Sequence, residues 1–287
     1  MKKSKLIILI LFILLTTTGC KQDNMEGIDI VVTNYPNEFI VSKLYGEHSN
    51  IESIYPDGVD IEKYKITKRQ KNKYSNKDLF IYNGLIEKER NLAVNLLELN
   101  NDLKIIDSSY VLEEEYSEEE LWLAPSSLLM MTKNIQIGLD EYITSTYLKK
   151  EIDEAYEELK VELSELDADY RIAVENTKNK TILVNDNSLK YLEKFGITVL
   201  SLDNEATPKE IADIESQIQN KTISYIYIFR EEEQSTNTKN IIQKYTDIKT
   251  IELHKLDNLS DKEREEKEDY FSIMNNNLEL IKQELYQ

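Results

Sequence analysis

The sequence predicts an α/β protein made of two Rossmann-like lobes, each with a parallel sheet, joined by one long rigid helix. Three observations lead to this prediction. In the first and last thirds of the chain, short apolar runs alternate with segments of helical spacing, an order typical of parallel sheets covered on both faces. Between Gly138 and Gly196 the chain contains no Gly or Pro, so a helix can continue there without interruption. The 287 residues are enough for two domains of ordinary size.

The linking helix is predicted over residues 139–178. Its apolar residues recur at alternating spacings of four and three, which places them on one narrow stripe of a helix whose other faces are charged. The stripe consists of Ile152, Tyr156, Leu159, Leu163, Leu166, Tyr170 and Ala173. At a rise of about 1.5 Å per residue this helix would be about 60 Å long, so we expect it to span both lobes. A short coiled coil is the alternative, because the repeat lasts only about three heptads.

The two lobes are expected over residues 28–138 and 179–287. The predicted strands are 28–34, 50–56, 78–84 and 103–109 in the first lobe, and 181–186, 197–202, 224–229 and 249–255 in the second. Helices are predicted between these strands, and a closing helix is predicted over about 270–286. Ligands of open parallel sheets bind beyond the carboxyl ends of the strands. Two such lobes would therefore place their ligand in one cleft.

The first 20 residues, MKKSKLIILILFILLTTTGC, have the parts of a secretory leader. A basic start is followed by the apolar run 6–15, which is shorter than the roughly 20 residues that span a bilayer. Small residues then precede Cys20, which is the only cysteine of the chain. We interpret residues 1–19 as a lipoprotein signal peptide, Cys20 as the lipidation site and residues 20–27 as a tether. The alternative is a plain secreted protein with an incidental cysteine.

The chain is strongly acidic, with 54 acidic against 35 basic residues and a formal net charge of −19. Removal of the leader, which contains three lysines, takes the charge to −22. Nucleic-acid binding requires clustered Lys and Arg, so this charge argues against nucleic-acid partners. It is compatible with the capture of cations. We expect a lipid-anchored monomer on the extracytoplasmic face of the cell membrane.

Acidic side chains follow several of the predicted strands. The segment PDGVDIEKY follows the second strand, and EEEYSEEELWLAP follows the fourth. In the second lobe, Asp186, Glu231 and Asp257 hold the corresponding positions. Because the carboxyl ends of the strands would face one cleft, these segments supply the candidate ligands. The simpler interpretation of each carboxylate is that it caps a helix or faces solvent.

Seven segments, taken together, carry a resemblance to a known family. They are YPDGVDIEKYKIT, KDLFIYNG, ELWLAPSSL, LVNDNSLKYLEKFGI, ATPKEIADIESQI, YIFREE and DYFSIMNNNLELIKQEL. In this order they resemble the metal-binding lipoproteins of zinc and manganese ABC importers, which are also described as adhesin-like lipoproteins. The resemblance covers nearly the whole mature chain. It implies two α/β lobes, a rigid linking helix and a metal ion held between the lobes.

The resemblance also implies a set of metal ligands. The family usually has His in the segments matched here by PDGVDIEKYKI and ELWLAP, where this chain has Glu62 and Glu120. Asp186 in LVNDNSLKYL matches the third ligand, and Asp257 in HKLDNL matches the fourth. Glu231, at the end of a predicted strand, is a candidate to hold a ligand in place by contacting it.

The ligand types bear on the identity of the metal. Oxygen ligands suit hard ions such as Mn²⁺, Mg²⁺ or Ca²⁺, whereas imidazole suits Zn²⁺. We expect Zn²⁺ or Mn²⁺ as the bound ion, and the choice between them stays open. His254 lies three residues before Asp257 and is a candidate substitute ligand, although a lone His near a strand end is more often structural.

The resemblance implies a solute-binding protein that captures a divalent metal ion and delivers it to an ABC permease, without enzymatic activity. Two alternatives stay open. A hydrolase would use Glu62 and Glu120 as a carboxylate pair, but no nucleophile elbow, phosphate loop or His base accompanies them. A degenerate paralogue would keep the fold, bind no transition metal and act as an adhesin or interaction lipoprotein. The replacement of both usual histidines keeps that alternative open.

Overall fold

The computed structural model describes residues 25–112, 120–230 and 232–287. The leader with Cys20, the acidic segment 113–119 and Glu231 lie outside the described residues. The strands are β1 (Ile28–Val32), β2 (Ser49–Ser53), β3 (Leu79–Tyr82), β4 (Lys104–Asp107), β5 (Thr181–Val184), β6 (Thr198–Ser201), β7 (Tyr225–Phe229) and β8 (Lys249–Leu253).

Ten α-helices connect and follow these strands in the described ranges. They are α1 (Tyr35–Tyr45), α2 (Lys68–Ser75), α3 (Glu87–Leu99), α4 (Glu120–Leu123), α5 (Pro125–Tyr142), α6 (Thr146–Glu175), α7 (Pro208–Gln219), α8 (Thr236–Lys244), α9 (Asp261–Glu265) and α10 (Tyr270–Leu285). Two 3-10 turns lie at Gly46–His48 and Lys190–Phe195.

Each lobe contains one four-stranded parallel sheet. The strand order is β2-β1-β3-β4 in the N-terminal lobe and β6-β5-β7-β8 in the C-terminal lobe. All six strand pairings are parallel, as expected where helices cover both faces of a sheet. The eight strands and the α/β class predicted from the sequence are confirmed.

Strand β1 shows how the two faces of a sheet are used. Successive side chains of a strand point to opposite faces, and here Ile30 and Val32 belong to a core that the two lobes share. Val31 instead packs with Phe80 and Leu92 in a separate cluster on the outer face. Because the shared core continues into the C-terminal lobe, the two lobes bury apolar surface together rather than separately.

The linking helix is shorter than the sequence predicted. The structure has helix α6 over Thr146–Glu175, about 45 Å long at the usual rise, and the residues from Leu139 to Tyr142 belong to α5. Ile143 is extended, and the Ser145 side chain caps the new helix by accepting a hydrogen bond from the Leu148 backbone N–H at 3.4 Å. The prediction of one helix over 139–178 is therefore wrong at its start, where Ser145 favours a cap.

The predicted apolar stripe of α6 is confirmed. Six of its seven residues are buried, and Tyr156 is partly buried against the same core. The helix contacts α1 and α5 of the N-terminal lobe and α10 of the C-terminal lobe. The Tyr170 hydroxyl also donates to the Met274 carbonyl at 3.0 Å. Helix α6 therefore connects the two lobes, as expected.

The last residues of the predicted tether are part of the N-terminal lobe. Met25 is fully buried, and its carbonyl accepts a hydrogen bond from the Tyr45 hydroxyl at 2.7 Å. The Gly27 N–H donates to the His48 carbonyl at 2.8 Å. The prediction that residues 20–27 form a free tether is therefore wrong for 25–27, because Met25 buries its side chain in the core.

Polar contacts also join the two lobes directly. The Arg264 guanidinium of α9 binds both carboxylate oxygens of Glu38 in α1, at 2.6 and 2.9 Å, and its Nε lies 2.6 Å from Asp57. We call this set of three side chains the Arg264 clamp.

None of the helices in the described ranges combines the length and apolar character that crossing a bilayer requires.

Candidate metal centre

The cleft between the lobes lies where the carboxyl ends of the strands meet, as predicted. Two adjoining cavities of about 490 and 430 Å³ fill it. Both cavities are lined by Glu62, which follows β2, and by Lys255 and Asp257, which follow β8. The sequence prediction that PDGVDIEKY and HKLDNL face one cleft is thus consistent with the structure.

Residues 254–257 form a turn after β8 that we call the cleft loop. Contacts from the N-terminal lobe hold its backbone in place. The indole N–H of Trp122 donates to the Lys255 carbonyl at 2.7 Å, and the Tyr35 N–H donates to the Asp257 carbonyl at 3.0 Å. Leu256 adopts a positive φ of 62°, which turns the chain sharply between Lys255 and Asp257.

Asp257 is a half-buried candidate ligand in the cleft loop. Burial raises the pKa of its carboxyl group above the ordinary value, and the nearby charges of Lys255 and His254 oppose that rise. A carboxylate in this position needs a cation beside it to stay ionised at low energetic cost. Asp257 is therefore well placed to bind a positively charged ligand.

Glu62 reaches the same cleft from the N-terminal lobe, but it is open to solvent. Its side chain is 79% exposed, and its Oε1 lies 3.7 Å from the Lys255 ammonium nitrogen. The two candidate ligands Glu62 and Asp257 thus line one cavity from opposite lobes, Glu62 exposed and Asp257 half-buried.

Asp186 makes local contacts in the structure. It follows β5 and is half-buried, and its Oδ1 accepts a hydrogen bond from the Ser188 N–H at 2.7 Å. It does not line either of the two cleft cavities. Metal binding by Asp186 could use its other oxygen, Oδ2, and leave this hydrogen bond in place.

Three further predicted residues, Glu120, Glu231 and Cys20, lie wholly or partly outside the residues that the structure describes. Glu120 begins helix α4, but its side chain is not among the described ones. Its neighbour Trp122 lines the larger cavity, so α4 borders the cleft. Glu231 and the lipidation candidate Cys20 lie outside the described residues, and their predicted roles stay predictions.

Both ring nitrogens of His254 already have partners. Nδ1 accepts a hydrogen bond from the Leu256 N–H at 2.8 Å, which places the proton of the neutral ring on Nε2. Nε2 faces the Glu263 carboxylate at 3.2 Å. His254 could ligate a metal only after losing one of these partners, so the arrangement favours a structural role.

Two residues that the sequence analysis did not single out help to build the site. Lys255 places its ammonium group among the cleft carboxylates, and Glu232 contacts it at 3.7 Å. Both lie beside predicted candidates, Asp257 and Glu231, but the sequence pattern gives no sign of a pairing across the cleft. The available signal was a lysine two residues before the candidate ligand Asp257.

The buried carboxylate of Glu89 lies at the wall of the larger cavity. Glu89 of α3 is 2% exposed and accepts hydrogen bonds from the Asn83 N–H at 2.8 Å and the Thr33 hydroxyl at 2.5 Å. These contacts fix the residues that follow β1 and β3. Glu89 therefore fixes the backbone that borders the larger cavity.

The described side chains do not form a ready-made metal site. In ranges 25–112, 120–230 and 232–287, no three His, Cys, Asp or Glu side chains come close enough together to hold an ion. Glu62 and Asp257 supply oxygen ligands from opposite lobes, and a cation between them would need further ligands to approach. The prediction of four converging carboxylates stays a prediction.

Comparison with known families identifies the chain. The profile of the ZnuA family, described as zinc-uptake complex component A periplasmic, matches residues 30–284. The chain belongs to this family. Members of the ZnuA family are solute-binding proteins rather than enzymes, so the prediction of a non-enzymatic solute-binding protein is confirmed at the level of the family. The resemblance to lipoproteins of metal importers is confirmed as well.

Two curated relatives illustrate the similarity in sequence. The zinc-binding lipoprotein AdcA of Streptococcus pneumoniae is 24% identical over 99% of this chain and 61% of its own length. The high-affinity zinc uptake system protein ZnuA of Bacillus subtilis is 24% identical over 94% of this chain and 91% of its own length. The chain thus spans about three fifths of the length of its AdcA relatives.

Solved structures confirm the two-lobe fold. The Zn(II)-bound ZnuA-like domain of Streptococcus pneumoniae AdcA superposes with a TM-score of 0.73 at 23% identity, covering 91% of this chain and all of that domain. The metal-dependent lipoprotein YcdH of Bacillus subtilis gives the same TM-score at 20% identity and the same coverage. Identities this low establish the architecture, and the ligands of the site must be argued from this chain.

Proposed function

We propose that the protein captures Zn²⁺ in the cleft between its lobes and delivers it to an ABC permease in the membrane. The observation that carries this proposal is the position of Asp257, a half-buried carboxylate that follows β8 and lines one cavity together with Glu62 of the other lobe. Membership of the zinc-uptake family supports zinc over manganese as the bound ion. The AdcA relatives, named as zinc-binding, support the same choice.

The proposed ligands are Glu62, Glu120, Asp186 and Asp257. Glu62 and Asp257 already line the cleft. Helix α4, which begins with Glu120, borders the cleft through Trp122. Asp186 follows β5 at the same carboxyl edge of its sheet as the cleft loop. Binding by all four would require each carboxylate to place an oxygen about 2.0–2.2 Å from the zinc ion.

The test of this function is a zinc titration of the mature protein, with and without Asp257→Asn. Loss of this charge should weaken zinc binding at least about tenfold, which corresponds to about 1.4 kcal/mol. The matched control is Asp213→Asn on the exposed face of α7, which should bind as the wild type does. Mn²⁺ and Ca²⁺ titrations measure selectivity. Absence of zinc binding in the wild type would overturn the proposal and favour the degenerate paralogue.

We further propose that Cys20 anchors the protein to the outer face of the cell membrane. The basic, apolar and small-residue order of the leader supports this, together with the lipoprotein AdcA among the relatives. Cys20→Ala should release the protein into the medium or leave it unprocessed, because one lipidated cysteine carries the anchor. Cell fractionation measures this. A membrane-bound variant cut at the same position would contradict the anchor.

A further inference from the structure

Lys255 has an unusual position for a lysine in a cation-binding cleft. Its side chain is only 13% exposed, and it lines both cleft cavities. The ammonium nitrogen lies 3.7 Å from Glu62 Oε1 and 3.7 Å from Glu232 Oε1. It also lies near enough to the half-buried Asp257 to lower the pKa of that carboxyl group. A positive charge therefore already occupies the space between the carboxylates.

We propose that Lys255 is a built-in counter-ion of the metal site: its ammonium group neutralises the cleft carboxylates in the metal-free protein and is displaced when a divalent ion binds. This inference rests on the proposed function. It assigns to Lys255 a role in setting metal affinity, and it describes metal capture as an exchange of one cation for another.

The chemistry of lysine allows its contact with these carboxylates to be exchanged. The ammonium nitrogen lies 3.7 Å from Glu62 Oε1 and 3.7 Å from Glu232 Oε1, so these two contacts are ion pairs longer than a direct hydrogen bond. A lysine side chain is a compact charge on a flexible stem of four carbons. It can therefore swing away from the carboxylates while its backbone stays in place.

The backbone of Lys255 is fixed independently of its side chain. Its carbonyl accepts the indole hydrogen bond of Trp122 at 2.7 Å. The neighbouring His254 is held by Asn277, which bonds both its N–H and its carbonyl at 3.0 and 2.9 Å. The cleft loop can therefore keep Asp257 in position while the ammonium leaves.

Other basic side chains that line the two cavities within the described ranges are engaged elsewhere. Lys63 is 83% exposed and pairs with Asp60 at 2.6 Å. Lys88 donates to two backbone carbonyls, at 2.7 and 3.0 Å. Arg230 lies 3.1 Å from Glu263. Lys255 is thus the basic side chain that contacts the candidate ligand Glu62 from inside the cleft.

The exchange has a consequence for affinity. Displacing the ammonium removes one positive charge from a group of carboxylates, and a divalent ion returns two, so the exchange gains electrostatic energy. Every ion must displace the same ammonium group, so Lys255 lowers the affinity for each of them.

The decisive experiment measures zinc affinity of the mature protein and of Lys255→Met at one fixed ionic strength. Methionine keeps the length of the side chain and removes its charge. We expect zinc to bind Lys255→Met at least about tenfold more tightly than the wild type, which is about 1.4 kcal/mol. Lys255→Arg, which keeps the charge, should bind close to the wild type. Lys255→Gln replaces the methionine variant if that variant does not fold.

The matched control is Lys63→Met, which removes the same charge from the exposed rim of the same cavity. Because water screens this charge, its effect on zinc affinity should be much smaller than that of Lys255→Met. Melting temperatures give a second measurement. Without metal, Lys255→Met should melt below the wild type, since the cleft carboxylates lose their counter-ion. With saturating zinc this difference should vanish or reverse.

The outcomes separate this inference from the proposed function. Zinc binding by the wild type with no gain in Lys255→Met beyond the Lys63→Met control would overturn the inference and leave the function standing. Binding by Lys255→Met alone would support the inference and overturn zinc capture by the wild type. Absence of binding in both proteins would overturn both.

Discussion

At the scale of single residues, this protein buries several carboxylates and gives each a different partner. Glu89 accepts hydrogen bonds from the ends of two strands, and Asp257 lies beside an ammonium group. Glu284 of α10 accepts the N–H groups of Ser224 and Tyr225 at 2.9 and 2.8 Å. Removing a buried charge from water is costly, so each partner determines what its carboxylate can do.

Glu284 leads to a prediction about pH. Burial raises the pKa of its carboxyl group, although the two backbone hydrogen bonds oppose the rise. Since the raised folded pKa means that the folded state binds the proton more tightly, the contribution of Glu284 to stability is full at low pH and is lost as pH rises through the folded pKa. Relative to Glu284→Gln, the wild type should therefore gain stability as pH falls from about 7 to about 4.5.

Denaturant unfolding of both proteins across that pH range measures this difference. Glu279→Gln is the control, because Glu279 lies on the same helix, is 68% exposed and pairs only with the nearby Lys282. Its stability difference from the wild type should change little with pH. An equal pH dependence for Glu284→Gln and the wild type would contradict the prediction.

Sequence-based prediction found some residues of the candidate site and missed the contacts between them. Glu62 and Asp257 could be assigned because each follows a strand and matches a segment of a known family. The contact between Lys255 and Glu62 could not, because it joins residues from different lobes and depends on how the two lobes are placed. Local patterns carry no information about such a pairing.

At the scale of secondary-structure elements, the approach of α5 to the sheet depends on one glycine. A Cβ atom added to Gly138 would lie 2.6 Å from Ile106 Cγ1 and 2.7 Å from its Cδ1. Ile106 is buried in β4 at 4% exposure, so it has little room to move. Gly138 thus allows the helix to pack closely on the strand.

We therefore predict that Gly138→Ala destabilises the protein by about 1 to 3 kcal/mol, although alanine favours helices over glycine. Combining it with Ile106→Ala should recover part of that loss, because the two side chains compete for one space. Gly46→Ala is the control, since its added Cβ would meet only Ser42 at an ordinary 3.9 Å. Denaturant midpoints measure all four variants, and additive effects of Gly138→Ala and Ile106→Ala would contradict the clash.

The elements themselves were largely predictable from the sequence. Strands such as β1 (IDIVV), β3 (LFIY) and β7 (YIYIF) follow from short apolar runs, because buried parallel strands read as such runs. The break between α5 and α6 was missed because the absence of Gly and Pro was taken to mean one helix. The signal was the segment Ile143–Thr146, where β-branched residues disfavour the helix and Ser145 offers a cap.

At the scale of the whole molecule, the two lobes are held together on more than one side. Helix α6 packs against helices of both lobes, and a single apolar core extends across them. The Arg264 clamp ties α9 to α1 and to Asp57. Closing by a wide hinge motion would have to break these contacts together.

Small-angle scattering of the mature protein with and without zinc should therefore give nearly coincident curves. Arg264→Gln removes the charge of the clamp and is the variant in which a larger change is expected. Lys262→Gln, at an exposed position of the same helix with a partner only one turn away, is its control. A clear zinc-dependent decrease in the radius of gyration of the wild type would contradict a stiff linkage.

Trp122 is the only tryptophan of the chain, and its indole N–H donates to the carbonyl of Lys255 at 2.7 Å. Indole fluorescence responds to the polarity and charge around the ring. An ammonium group that leaves the cleft, or an ion that enters it, changes that charge next to the ring. The fluorescence of Trp122 should therefore change when a cation enters the cleft. Stopped-flow fluorescence of the unlabelled protein can then measure how fast the cation enters.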